Sequence, residues 1–202
     1  SVSVVALNSC SSNDYEQMPS ANQSHRIKSL VLHYTAIDYE KSVRALVEPK
    51  GLSSHYLVPE RGDPSYPEDT IEVFQLVEEH ERAWHAGDSY WQGRTELNDT
   101  SIGIEIVNVP QCQWDTRQQA TRAEHGENRL CTFPDYDPAQ IEAVIELSQE
   151  ILARHPDIHP TAVVGHSDIA FMRKNDPGPR FPWYQLYQQG VGAWYEQDTL
   201  AR

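Results

Sequence analysis

Six residues of this chain have the types and settings for hydrolytic chemistry. His33 stands near the exit of an apolar run, Glu105 lies between Ile104 and Ile106, and a single cluster carries His166, Asp168, Lys174 and Asp176. Two imidazoles and a carboxylate are the donors of a catalytic zinc site, which leaves a fourth position open for water. Each residue also has a plain reading. A histidine at a strand end is often a satisfied polar residue, Lys174 reads equally as a solvated surface charge, and Asp176-Pro177-Gly178-Pro179 reads as a rigid turn with a capping Asp. Glu105 says more, because a carboxylate among isoleucines is costly to bury unless it is paired or used. Burial would raise its pKa toward values suited to a general base. If its face of the strand is open to water, it is only the polar half of an alternating pattern.

The elements that must position these groups follow from periodicity. The β-branched run KSLVLHYT at 28–35 predicts a buried strand carrying His33. Asp38 offers an N-cap to a short helix marked by Val43, Leu46 and Val47, which stops before Pro49. Segments 53–58 and 71–77 read as two strands joined by a Gly/Pro/Asp-rich connection of hairpin character. Residues 84–100 have no period and read as a loop rich in aromatic and polar groups, in which Trp84, Tyr90 and Trp91 offer faces for a sugar or peptide or, on an equal footing, pack within the core or the loop itself. In SIGIEIV at 101–107, alternation puts Ile102, Ile104 and Ile106 on one face and Gly103 and Glu105 on the other. Asp137-Pro138 with Gln140 as capping-box partner opens a helix whose stripe runs through Ile141, Val144, Ile145, Ser148, Ile151 and Leu152. Residues 162–165 form a short strand ending at His166, and a last short helix is expected near 183–189. Alternating strands and helices without repeats predict an α/β single domain, a central mixed β-sheet flanked by α-helices.

Composition narrows the function classes. The 202 residues suit one domain with a real core, and a net charge of −14 argues against a nonspecific phosphate-backbone binder. No stretch approaches the roughly 20 apolar residues needed to span a bilayer. Cys112 and Cys131 bracket a polar segment that reads as a long loop. A disulfide between them would remove denatured-state entropy worth about 3 kcal/mol in an oxidising compartment, and two free thiols are the alternative. Cys10 follows a short apolar run ending in small residues, as at the end of a bacterial lipoprotein signal, although Asn8 departs from that pattern; an ordinary flexible N-terminus reads as well. The expected organisation is a leader over 1–25 with Cys10 as a lipid-anchor candidate, a catalytic domain over 26–195 and a tail over 196–202.

In order and spacing, VLHYT at 31–35, SSHYLV at 53–58, AWHAG at 83–87, NDTSIGIE at 98–105 and GHSDIAFMRKNDPGP at 165–179 resemble one family. It is that of the zinc-dependent N-acetylmuramoyl-L-alanine amidases of the amidase-2 type, with AmiD- and AmpD-like branches and a fold shared with peptidoglycan recognition proteins. The resemblance runs from about residue 28 to residue 194. It implies that His33, His166 and Asp176 hold Zn2+, that Glu105 is the general base and acid, and that Lys174 stabilises the transition state. Asp168 is expected to orient the loop without binding metal, and His55 and His85 are expected to pack or line the groove. Phe171 and Met172 depart from the family pattern without touching a ligand position.

The implied reaction is hydrolysis of the amide between the lactyl group of N-acetylmuramic acid, or its anhydro form, and L-alanine of the stem peptide. The implied partners are peptidoglycan fragments or muropeptides, with no nucleic acid and no transmembrane segment. The expected state is a monomer in the periplasm or anchored to the outer membrane of a bacterium. Two other functions fit less of the sequence. A recognition module that binds peptidoglycan without cutting it would need neither Glu105 nor Lys174, and a zinc hydrolase of another amide, such as a deacetylase, is supported only by the general site chemistry.

Overall fold

Leu30, Val31 and Leu32 are fully buried, and they belong to an interior strand of a five-stranded sheet. The structure is a computed structural model, and it describes residues 16, 18–49, 51–114 and 129–195. Cys10 and the 196–202 tail lie outside them. In chain order the sheet strands are β1 (Ser29–Tyr34), β2 (Tyr56–Val58), β3 (Phe74–Gln75), β6 (Ser101–Ile106) and β9 (Val163–Gly165). Between β3 and β6, a small hairpin pairs β4 (Tyr90–Trp91) with β5 (Arg94–Thr95). A second ribbon pairs β7 (Gln111–Trp114) with β8 (Arg129–Thr132). The helices are α1 (Tyr39–Val47), α2 (Pro138–Arg154), the one-turn α3 (His166–Ile169) and α4 (Trp183–Gln188).

The sheet order is β3-β2-β6-β1-β9, parallel throughout except for β3, so it is the mixed sheet that the alternation of elements predicted. Parallel strands buried on both faces read as near-continuous apolar runs, which is why SLVLHY and SIGIEI look so similar. Strand alternation then sorts the side chains. Leu30, Leu32, Ile102, Ile104 and Ile106 pack with Ile141, Val144, Ile145 and Ile151 of α2. Val31 and Val164 turn to the other face, where they meet Ala86, Leu97 and Ile169. His33 and Glu105 continue the face of Val31, and α1 covers the same side of β2 through Leu46 and Leu57.

Local signals account for the helices. Asp38 accepts from the Lys41 N–H at 2.9 Å and starts α1. Asp137 accepts from the Ala139 N–H at 3.2 Å, with Pro138 in the first turn of α2. Gln140, expected to complete a capping box, does something else. Its Nε2 donates to the carbonyls of Pro59 at 3.0 Å and Val107 at 2.8 Å, so it ties α2 to the sheet. The expected strand over 71–77 is shorter, Phe74–Gln75 only, because β3 is an edge strand paired to β2 alone. Cys112 and Cys131 face each other across β7 and β8 and are joined in a disulfide, so the ends of the expected loop are an antiparallel ribbon. Among the described residues, no helix is long and apolar enough to cross a membrane.

Candidate metal centre

The carboxyl ends of three parallel strands, β1, β6 and β9, converge, and each delivers one functional side chain. His33 is the fifth residue of β1, Glu105 pairs with it in register on β6, and His166 follows directly on β9. In open α/β sheets this edge is where ligands bind, because the loops that leave it are free to carry function. Asp176 reaches the same point from the loop after α3. Its backbone carbonyl accepts from the Ser167 N–H at 2.8 Å, which folds the loop back on the strand end. Gly165 permits that approach, since a Cβ there would sit 2.6 Å from Cδ of Pro177.

The result is a cluster of three buried donors. His33 Nδ1 lies 2.9 Å from His166 Nδ1 and 3.0 Å from Asp176 Oδ2, and His166 Nδ1 lies 3.1 Å from the same oxygen. Ligands held at about 2.0–2.1 Å from a tetrahedral zinc are about 3.3 Å from one another, so the spacing fits such an ion. The donor chemistry fits as well. His166 Nε2 is 3.0 Å from the Ala86 carbonyl, which can only accept, so the ring proton is there and Nδ1 offers a lone pair to the cluster. His33 Nε2 is 3.0 Å from His85 Nδ1. Burial lowers the pKa of His33 to about 4 against the pull of Asp176, keeping the ring neutral as a metal ligand must be.

Glu105 stands beside this cluster, with Oε1 4.0 Å from His33 Nδ1. It is buried on the sheet face opposite the isoleucines, so the solvent-facing reading does not hold. Burial, and then the charge of Asp176, raises its pKa to about 8, with Lys174 opposing. Lys174 is exposed and lines the same groove, a cavity of about 850 Å³ that also includes Tyr34, Leu52, Cys112, Cys131, Phe171 and Met172. The disulfide therefore borders the groove. Asp168 is apart from the three donors. Its Oδ2 accepts from the Gly165 N–H at 2.7 Å and so holds the turn into α3.

Of the two readings of the aromatic residues of 84–100, contact with a ligand in this groove does not hold, since Trp84, Tyr90 and Trp91 are not among the groove lining. Trp84 carries the Arg82 guanidinium 3.9 Å above its ring, and Trp91 donates to the Thr161 carbonyl at 3.0 Å near the start of β9. Their types suggested binding, but the path of the loop decides which end of the sheet they reach. His85 and His55 do pack, and both have defined partners. His55 Nδ1 accepts from the Gly103 N–H at 3.0 Å, and His85 bridges His33 and Ser101. Asn98, which sequence reasoning passed over, accepts from the His85 and Ala86 N–H groups at 3.0 and 2.8 Å. Its only sequence signal is its place in the NDTSIGIE motif.

The chain is 49% identical over 175 residues to N-acetylmuramoyl-L-alanine amidase AmiD of Escherichia coli, covering 87% of this chain and 57% of that one. It thus spans little more than half the length of that relative. The crystal structure of AmpDh3 from Pseudomonas aeruginosa in complex with anhydromuramic pentapeptide matches with a TM-score of 0.79 and 45% identity, over 97% of this chain and 71% of the other. The complex of E. coli AmiD with the substrate anhydro-N-acetylmuramic acid-L-Ala-D-gamma-Glu-L-Lys matches with a TM-score of 0.75 and 45% identity, over 92% and 65%. The sequence profile described as N-acetylmuramoyl-L-alanine amidase, Amidase_2, covers residues 23–179, which include the three donors, Glu105 and Lys174, and the chain belongs to that family.

Proposed function

We propose that residues 26–195 form the catalytic unit of a zinc-dependent amidase. It cleaves the amide between the lactyl group of N-acetylmuramic acid, or its 1,6-anhydro form, and L-alanine of a stem peptide during cell-wall turnover. The observation that carries this reading is the convergence of His33, His166 and Asp176 on one point with the carboxyl of Glu105 beside them. The complexes of two relatives with anhydromuramyl peptides support the substrate class.

His33, His166 and Asp176 would hold a zinc ion, which when bound would supply a Lewis acid for water and for the amide carbonyl. Glu105, whose Oε1 lies 4.0 Å from His33 Nδ1, takes a proton from the attacking water at a carboxylate oxygen. The water oxygen adds to the carbonyl carbon, and the Lys174 ammonium, exposed in the groove, offsets negative charge on the carbonyl oxygen. Glu105 then returns its proton to the alanine nitrogen as the C–N bond breaks, releasing the lactyl acid and the peptide amine.

Export to the bacterial periplasm, with anchoring through Cys10, belongs to the same proposal. The export is supported by the Cys112–Cys131 disulfide, a bond that persists in oxidising compartments, and the anchor by the short apolar run before Cys10. The deciding experiment is mass spectrometry of defined muropeptides incubated with the protein as purified, after chelation and after zinc is restored. Release of free stem peptide that chelation stops and zinc restores is the expected result. Binding of muropeptide without release under all three conditions would replace the enzyme with a recognition module.

A further inference from the structure

His85 is buried against the candidate metal centre, and the hydrogen bonds around it run in one direction only. Ser101 has a single hydroxyl proton, and its Oγ lies 2.6 Å from the Leu97 carbonyl, which can only accept. Ser101 Oγ is also 3.2 Å from His85 Nε2, so in that contact the ring must be the donor. A neutral imidazole carries one N–H, which leaves His85 Nδ1 as an acceptor. That atom is 3.0 Å from His33 Nε2, which therefore carries the His33 proton. His33 Nδ1 is then a bare lone pair, and it is the atom that faces Asp176 Oδ2 and His166 Nδ1.

We propose that His85, with Ser101 behind it, is a positioning residue that sets the Nε2–H tautomer of His33 and so presents Nδ1 to the metal. The inference rests on the metal-amidase reading above. The next residue serves the other imidazole, because the Ala86 carbonyl accepts from His166 Nε2 at 3.0 Å. One dipeptide thus orients both histidines, and Asn98 Oδ1 holds it by accepting from both of its N–H groups. The sheet makes room for the ring at Gly103, where a Cβ would lie 2.6 Å from His85 Cγ. Partners of this kind orient metal-bound imidazoles and set their basicity, and losing one typically costs about 10–100-fold in metal affinity.

The test compares His85→Leu, which removes the acceptor, with His85→Asn, whose side-chain oxygen stands close to the place of Nδ1. Zinc dissociation constants are read by chelator competition on the folded proteins, and the ring protons of the metal-free parent are read by long-range proton–nitrogen NMR. The Leu variant should bind zinc about 10–100-fold more weakly and the Asn variant within a few-fold of the parent. The parent spectrum should show His33 protonated at Nε2. Parent-like affinity in a folded Leu variant, equal losses in both variants, or a His33 proton on Nδ1 would each overturn the proposal. If His85→Leu does not fold, the parent spectrum decides. A parent that binds zinc but releases no peptide from muropeptides would remove the amidase reading and leave this one standing.

Discussion

His33 and Glu105 are register partners on neighbouring parallel strands, and their side chains leave the same face of the sheet with Nδ1 and Oε1 4.0 Å apart. A candidate metal ligand and a candidate base are therefore held by two interior strands of the sheet, each paired on both sides, where backbone pairing leaves little freedom to drift. The separation is too long for a direct hydrogen bond and leaves the carboxylate free to act on a water between them.

Glu105→Gln tests that arrangement most directly. The amide keeps the size and can still hydrogen-bond, but it cannot take a proton. Turnover of muropeptide should fall by about 10²–10⁴-fold while zinc content and thermal stability stay near the parent's. Parallel measurement of kcat, bound zinc by atomic absorption and Tm checks all three.

Lys174→Met removes a charge from the groove without disturbing the core, because Lys174 is exposed. We expect kcat to fall by about 10²-fold with little change in KM or in zinc affinity, since the ammonium matters most when the carbonyl oxygen becomes negative. A variant that loses substrate binding and keeps kcat would move Lys174 from the chemical step to recognition.

Acid stability should depend on Glu79. Burial raises its pKa, but Arg154, His155 and Tyr56 all donate to its carboxylate, at 2.8, 2.7 and 2.7 Å, and the balance lowers it from 4.5 to about 2. A carboxyl whose folded pKa lies below its unfolded value stabilises the fold above the unfolded value. That contribution is lost as pH falls toward the folded one. The Tm difference between the parent and Glu79→Gln should therefore be full at about pH 6 and shrink through the interval from about pH 4.5 to about pH 2. Calorimetry across that range reads it, and a gap that widens on acidification would contradict the assignment.

The disulfide should be found in protein from an oxidising compartment and should matter to the groove it borders. Unreduced protein should show Cys112 and Cys131 protected from alkylation, and reduction should lower stability by about 3 kcal/mol in the chain-entropy model. Denaturant titration with and without reductant measures the difference. Alkylation of both cysteines in unreduced protein would remove the bond.

The sequence by itself determined the frame of the protein. Alternation in β1 and β6, the Asp caps of α1 and α2, and the apolar stripe of α2 are local signals, and local geometry obeyed them. The pattern also put Glu105 on the face away from the isoleucines, because a period of two leaves no other choice. It could not say whether that face was buried, since burial depends on α1 and the loops that return over it. The spacing of His166 and Asp176 suggested a site, but only the third dimension brought His33 to within 3.0 Å of Asp176, across 143 residues of chain. Gln140 shows the same limit. Its type suited a capping box, yet nearby backbone carbonyls of the sheet offered its amide buried acceptors, and tertiary contact overrode the local motif. The aromatic loop and His85 are the clearest cases. Residue type left sugar contact or loop packing open for Trp91 and packing or groove lining for His85, while the folded chain sends Trp91 to the start of β9 and places His85 between Ser101 and His33. A hydrogen-bonded chain of side chains has no period in sequence, so its members can be recognised only after the strands and loops that carry them have come together.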